Sequence, residues 1–241
     1  MSQPMEVTIG SIEFSGRADF LTRTGREGPQ DGYLSLTRAS PDHSPTAFSA
    51  SIIVPPAPRG MVEGAIFLFL GLQGAGSNGA AILQPVLQWG SSYAGGGLYW
   101  SLASYFVQGS PGKLVIASNT DAVPIQPNTR ITSKISLVKH ASDNGQELWT
   151  YRSEFVGFAG TKLTVQSPTE LLAAGVALEA YGLAGCDSLP PGPICFEGVT
   201  LEIDGAPVTS QWLNRCAPSC GLATSVSQVV NAAVDVTITY D

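Results

Sequence analysis

Short runs in which apolar and polar residues alternate recur along the whole chain, each closed by Gly, Pro, Asn or Asp. A period of two is the signature of a strand with one buried face. The pattern predicts strands near 5–14, 32–38, 46–54, 64–73, 80–89, 98–107, 113–118, 130–139, 147–156, 161–166, 175–181, 196–203 and 232–240. Pro55-Pro56, Gly95-Gly96-Gly97, Asp143-Asn144-Gly145 and Asp204-Gly205 supply the turns, and Asp143-Asn144-Gly145 is the strongest hairpin signal. Ser167-Pro168-Thr169-Glu170 reads as the start of one short helix, ended by Gly175. A dozen strands with a single short helix predict an all-β fold, an antiparallel sandwich or barrel. No internal repeat or linker-like break interrupts the pattern, so residues 1–241 are expected to form one domain.

Composition narrows the functions open to such a fold. Only 13% of the 241 residues are charged and the formal net charge is −7, with no cluster of Lys or Arg. Nucleic acid and anionic membrane surfaces both demand a basic stripe, so neither is an expected partner. No run of 18 or more apolar residues predicts a transmembrane helix. MSQPMEVTIG does not read as a signal peptide.

Four cysteines, Cys186, Cys195, Cys216 and Cys220, fall in the last quarter of the chain. Their spacing is not that of paired C-x₂-C zinc ligands, and His43 and His140 are distant, so no metal is expected. Two local disulfides, Cys186–Cys195 and Cys216–Cys220, are the expectation, which places the chain in the secretory pathway or outside the cell.

Familiar catalytic patterns are missing. Gly74-Ala75-Gly76-Ser77-Asn78-Gly79 fits G-x-G-x-x-G after an apolar strand, but the segment that follows is short, holds Pro85 and lacks the acidic residue a ribose needs. It reads as a glycine-rich link between strands, and no cofactor is expected. His43 and His140 sit in loop-like or strand-end contexts without a nucleophile elbow. Of the carboxylates, Glu179 stands apart, in AAGVALEAYGL among apolar and small residues, where it either faces outward or carries a raised pKa in a partly desolvated site.

The stretch Gly79–Gly90, GAAILQPVLQWG, is the most unusual. Alternation sets Ile82, Gln84, Val86 and Gln88 on one face and Leu83, Pro85, Leu87 and Trp89 on the other. Trp100, Leu102, Ser104 and Phe106 share a face likewise. Pro85 has no N–H for a ladder, so the strand is expected to be an edge, a bulge or irregular beside Gln84. Aromatics crowd the region, and both faces could be core. Alternatively the glutamine-bearing face is the floor of a concave, mostly apolar cleft, as small-molecule sites are.

Phe69-Leu70-Gly71-Leu72-Gln73-Gly74 and Ala81-Ile82-Leu83-Gln84 together resemble the fungal glutamic peptidases, or eqolisins. The first stretch is similar to the W-V-G-I-D-G of that family, and the second matches A-I-L-Q, whose glutamine is catalytic there. GLYWSLASYFV is similar to an aromatic-rich strand of the family, and the resemblance spans about residues 46–204. It implies a concanavalin A-like, jelly-roll double sheet. The chain departs from the family where its tryptophan and aspartate become Phe69 and Gln73. Aligning the strand that carries the catalytic glutamate puts Gly175 in its place, and a four-residue slip is needed to bring Glu179 there.

A retained scaffold with altered acid chemistry implies a repurposed cleft. At the level of class it resembles the fungal hetero-Diels–Alderases of tropolone-sesquiterpenoid pathways, all-β proteins acting on large apolar substrates. The expectation is a cofactor-independent enzyme or binder for an apolar small molecule, with a [4+2] cycloaddition as the concrete reaction. Gln84, Gln88 and Glu179 are the candidate catalytic groups. Phe69, Gln73, Trp89, Tyr99, Trp100, Tyr105 and Tyr181 are candidates for contact with the substrate. The alternatives are an acid-acting glutamic endopeptidase using Gln84 and Glu179, and a non-catalytic carbohydrate-binding sandwich.

Overall fold

The computed structural model describes residues 6–7 and 32–241, leaving out 61–63, 77–78, 111–112, 119–120 and 144. With strands numbered in chain order, one sheet runs β1 (Glu6–Val7), β11 (Leu163–Ser167), β10 (Gln146–Phe155), β9 (Arg130–Asp143), β3 (Ala47–Ile53), β13 (Ile194–Ile203), β17 (Val234–Thr239) and β16 (Ala223–Gln228), with β14 (Ala206–Pro207) beside β13. The other runs β15 (Leu213–Cys216), β2 (Gly32–Ala39), β12 (Ala173–Tyr181), β4 (Ala65–Gly76), β5 (Gly79–Ser92), β6 (Gly95–Ser110) and β7 (Lys113–Ser118), with β8 (Val123–Pro124) beside β6. All described pairings are antiparallel except β1 with β11. Neither sheet closes on itself, so the fold is a sandwich and not a barrel.

The two sheets bury one contiguous core between them. Phe48, Tyr151 and Phe196 enter it from the first sheet, and Leu68, Leu70, Leu83, Trp100, Phe106 and Val176 from the second. Apolar residues occupy alternate positions along β4, β5, β6 and β12, which is what one buried face per strand demands. Ser153 donates to Ser104 Oγ at 2.9 Å across this core, so the hydroxyls there satisfy each other.

The expected strands form, including the hairpin in which Asp143 pairs with Gln146 around Gly145 at φ +78°. Of the strand expected near 5–14, only Glu6–Val7 lies within the described residues. Among the described residues, β15 and β16 were not foreseen, because LNRC and ATSVSQ carry no apolar alternation. No described helix is long and apolar enough to cross a membrane.

The short helix expected after Ser167 does not form. Ser167 Oγ accepts the Thr169 N–H at 3.0 Å, as a cap would, but the next donors leave the local segment. Leu171 N–H goes to the Tyr151 hydroxyl at 3.0 Å and Leu172 N–H to the Gln73 carbonyl at 2.9 Å. Tertiary acceptors thus replace the i−4 carbonyls, and the only helical turns described are 3-10 turns at Ala159–Thr161 and Cys186–Ser188. The close approach of this segment also explains Gly74, where a Cβ would lie 1.9 Å from the Glu170 carbonyl oxygen. Gly76 pairs with Gly79, so the glycine-rich stretch joins two neighbouring strands.

Pro85 does not lie at an edge. β5 sits between β4 and β6, and the pairing with β4 jumps from Phe69–Val86 to Leu72–Leu83 without a change of register. The missing N–H opens a gap there, while pairing with β6 continues through Pro85 and Ser104. The bulge falls further on, between Trp89 and Gly90.

The cysteine pairing also differs from the expectation. Cys186 bonds to Cys220, with Cα atoms 5.4 Å apart, and Cys195 and Cys216 are free. Neighbours in sequence are separated by strand geometry: Cys216 lies on β15 with its sulfur 3.1 Å from Thr224 Oγ1 of β16, whereas Cys220, at φ +58°, turns towards the 3-10 turn holding Cys186. Cys195 is on β13, where Thr237 donates to its sulfur at 3.5 Å.

Candidate functional site

The face of the second sheet turned away from the first carries a separate apolar cluster: Phe69, Val86, Ala94, Ala103, Tyr105 and Ala177. Strand alternation puts Gln84, Gln88, Gln73, Glu179 and Tyr181 on this outer face as well. A bulge in β2 at Leu34–Ser35 sends Leu34 into the core and leaves Tyr33 opposite Glu179, with Leu36 and Arg38 outward.

Gln88 is fully buried beneath the tip of the β5–β6 hairpin. Its Nε2 donates to the Gly95 carbonyl at 2.9 Å, and its Oε1 accepts from Tyr105 at 2.6 Å and from Ser92 at 2.9 Å. Tyr105 is 6% exposed, and burial pushes its hydroxyl up to about 12. Both residues therefore hold the hairpin against the sheet, where Ala94 packs on the outer-face cluster. The amide of Gln88 is committed to that lock.

Gln84 lies opposite Tyr105 on β6 and is half-buried. Its amide has no hydrogen-bond partner among the described residues. The register runs from Tyr105 through Gln84 to Gly71 on β4, then to Gly175 on β12 and Arg38 on β2. The two glycines of this row carry no side chain of their own, and the ends of Ile82 and Leu36 lie over them. A Cβ at Gly71 would lie 3.1 Å from Ile82 Cδ1, and one at Gly175 would lie 3.3 Å from Leu36 Cδ1.

Glu179 is not in that row. It pairs with Phe67 and with Tyr33, two strands and four residues away from Gln84. Sheet spacings make that about 16 Å between Cα atoms. Tyr181 donates to Glu179 Oε1 at 2.5 Å, and burial raises the Glu179 carboxyl above its ordinary value while this bond lowers it. Burial, helped by the charge of Glu179, pushes the Tyr33 hydroxyl up to about 12. Phe67 and Tyr181 meet edge to face at 6.1 Å beside them.

The other aromatic candidates divide. Phe69 is on the outer face, packed 6.3 Å from Tyr33, and Gln73 is exposed at its far end. Tyr99 is exposed at the hairpin. Trp89 and Trp100 are corrections: both point into the core between the sheets, edge to face at 5.5 Å, with Trp100 Nε1 donating to the Pro56 carbonyl at 3.3 Å. Parity was the available signal, since Trp89 alternates with Leu83 and Leu87, on the side opposite Gln84. No group of three or more His, Cys, Asp or Glu able to hold a metal ion occurs among the described residues.

No model of a protein family matches the chain, and no curated protein matches it by sequence. Solved structures do match. Scytalido-glutamic peptidase with a transition-state analogue inhibitor superposes with a TM-score of 0.53 at 15% identity, over 88% of this chain and 98% of that one. The fold resembles that of the glutamic peptidases. SCP-B, a member of the eqolisin family solved with the tripeptide Ala-Ile-His, matches with a TM-score of 0.51 at 16% identity over the same shares. At these identities the likeness concerns the sandwich alone. Arg38 and Arg215 were missed from the sequence, because only the register brings Arg38 into line with Gln84 and sets Arg215 diagonally beside it.

Proposed function

We propose that the outer face binds an apolar small molecule and promotes a cofactor-independent [4+2] hetero-Diels–Alder cycloaddition. The observation that supports this most is the free amide of Gln84, set between Tyr105 and a glycine beside the aliphatic and aromatic cluster of the outer face. Such a cycloaddition closes one C–C and one C–O bond and expels nothing, so it asks for no nucleophile, base or leaving-group acid. It asks for two partners held close and a donor on the oxygen of the heterodiene as charge grows there. Gln84 Nε2 is that donor in this reading, and Phe69, Val86 and Ala103 provide apolar surface. The Cys186–Cys220 disulfide favours an oxidising compartment, in keeping with a secretory protein.

The test is an ortho-quinone methide released in the presence of a terpene alkene, with product followed by chiral chromatography. Enantiomeric excess with the native chain that is lost in Gln84→Ala supports the reading. Racemic product at the spontaneous rate overturns it.

One observation favours a second reading, that of an acid-acting glutamic peptidase. Glu179 is a desolvated carboxyl on the same face as Gln84. The register counts against it, because the position in line with Gln84 on β12 is Gly175. Casein cleavage at about pH 2–4, where a carboxyl near ~4.3 keeps its proton, would restore that reading.

A further inference from the structure

At the corner of the outer face diagonally opposite the β5–β6 hairpin, β15 pairs with β2 so that Leu213 faces Arg38 and Arg215 faces Leu36. Arg38 and Arg215 are therefore diagonal neighbours, with Cα atoms roughly 7–8 Å apart, close enough to share one ligand. Both line a cavity of about 970 Å³ together with Leu36, His43, Thr209 and Leu213. Asn214, between Leu213 and Arg215, points the other way and donates to the Thr224 carbonyl at 3.0 Å, which fixes β15 against the first sheet.

Neither guanidinium is in an ion pair among the described residues, whose ion pairs are Arg130–Glu197, His140–Glu147 and Lys162–Glu154. Asp42, also on the cavity wall, takes part in none of them. In a chain of formal charge −7 with 12 Lys and Arg, two arginines thus share one cavity with a single carboxylate, Asp42, and neither is ion-paired to it. Leu36, whose end lies over Gly175, also lines the cavity, so the cavity adjoins the row that runs through Gly175 and Gly71 to Gln84.

Building on the reading of this face as a cleft for apolar molecules, we infer that its ligand is an apolar carboxylic acid. The carboxylate lies between Arg38 and Arg215, and the hydrocarbon body crosses Gly175 and Gly71 towards the Gln84 amide, displacing the side-chain ends of Leu36 and Ile82 that lie over them. Arginine suits this task because its planar fork offers paired donors to a carboxylate and keeps its charge at any working pH. Leu36 and Leu213, alternating with the two arginines, supply apolar surface where the hydrocarbon leaves the charged end. A neutral ester of the same acid would keep every apolar contact and lose the paired donors.

Fluorescence titration with 11-(dansylamino)undecanoic acid and with its methyl ester separates the two parts of the site. The acid is expected to bind the native chain about tenfold or more tightly than the ester, the scale of hydrogen bonds to a charged group. In Arg38→Gln/Arg215→Gln the acid should fall to the affinity of the ester, with ester binding and thermal midpoint unchanged, since both arginines are exposed and unpaired. Equal affinity of acid and ester for the native chain, or an acid preference that survives the double variant, overturns the carboxylate site and leaves the apolar cleft standing. Absence of binding by both probes overturns the cleft and the carboxylate site together.

Discussion

Tyr181 donates a hydrogen bond to Glu179 two residues away on one strand, O to O at 2.5 Å, so a half-buried carboxyl on the outer face is held by its neighbour. Burial raises this carboxyl despite that bond. A carboxyl that keeps its proton more tightly in the folded chain stabilises the fold fully below the unfolded value of about 4.3 and loses that contribution as pH rises through the folded value. Glu179→Gln retains an acceptor for Tyr181 and carries no charge. Its thermal midpoint is expected above that of the native chain at pH 7–8 and equal to it near pH 3. An unchanged difference across that range would sink the assignment of a raised carboxyl.

The two glutamines of Gly79–Gly90 should separate in a stability measurement. Gln88→Ala leaves a cavity under the hairpin and takes one of two hydrogen-bond partners from the Gly95 carbonyl and from the Tyr105 hydroxyl, with Ser92 the remaining one, at a cost of about 2–4 kcal/mol in urea unfolding. Gln84→Ala removes an amide without partners and should lie within about 0.5 kcal/mol of the native chain. Comparable losses in both would mean that Gln84 is structural too.

Gly175→Leu puts a side chain into the row between Gln84 and Arg38. The nearest obstacle to its Cβ is the end of a flexible leucine, at 3.3 Å, so the fold should accept it. Binding of apolar probes is expected to weaken at least about tenfold, acid and ester alike, because a bulky group then fills the row that the proposed ligand crosses. Unaltered affinity would show that ligands do not cross the glycines.

Peptide mapping after alkylation without reduction should label Cys195 and Cys216 and leave Cys186 joined to Cys220. Reduction, or Cys186→Ser, is expected to lower stability by about 2–4 kcal/mol, the usual range for a bridge. Recovery of a Cys216–Cys220 peptide would contradict the structure.

Much of the fold was legible because period-two alternation is local: Ile82, Gln84, Val86 and Gln88 do share one face, and Leu83 and Leu87 the other. What escaped depends on contacts distant in sequence. Ser167 offers a helix cap, yet Tyr151 and Gln73 take the donors that would have built the turn. Cys216 and Cys220 are neighbours in the chain, and a strand holds one while a turn swings the other away. The site was half legible, in that Gln84 stands out by its polarity in an apolar run. Glu179 stood out for the same reason, but only pairing through β4 reveals that it belongs to a different row.

Gln84 and Arg38 are separated by two strands, β4 and β12, of one hydrogen-bonded sheet. Three steps of about 4.8 Å set their Cα atoms about 14 Å apart, and neither a loop movement nor a rotamer change can alter that figure. For a ligand that spans Arg38 and Gln84 as proposed, the sheet would work as a ruler beneath it. Molecules would be sorted by length, in a homologous series, before any difference in their reactive ends is felt.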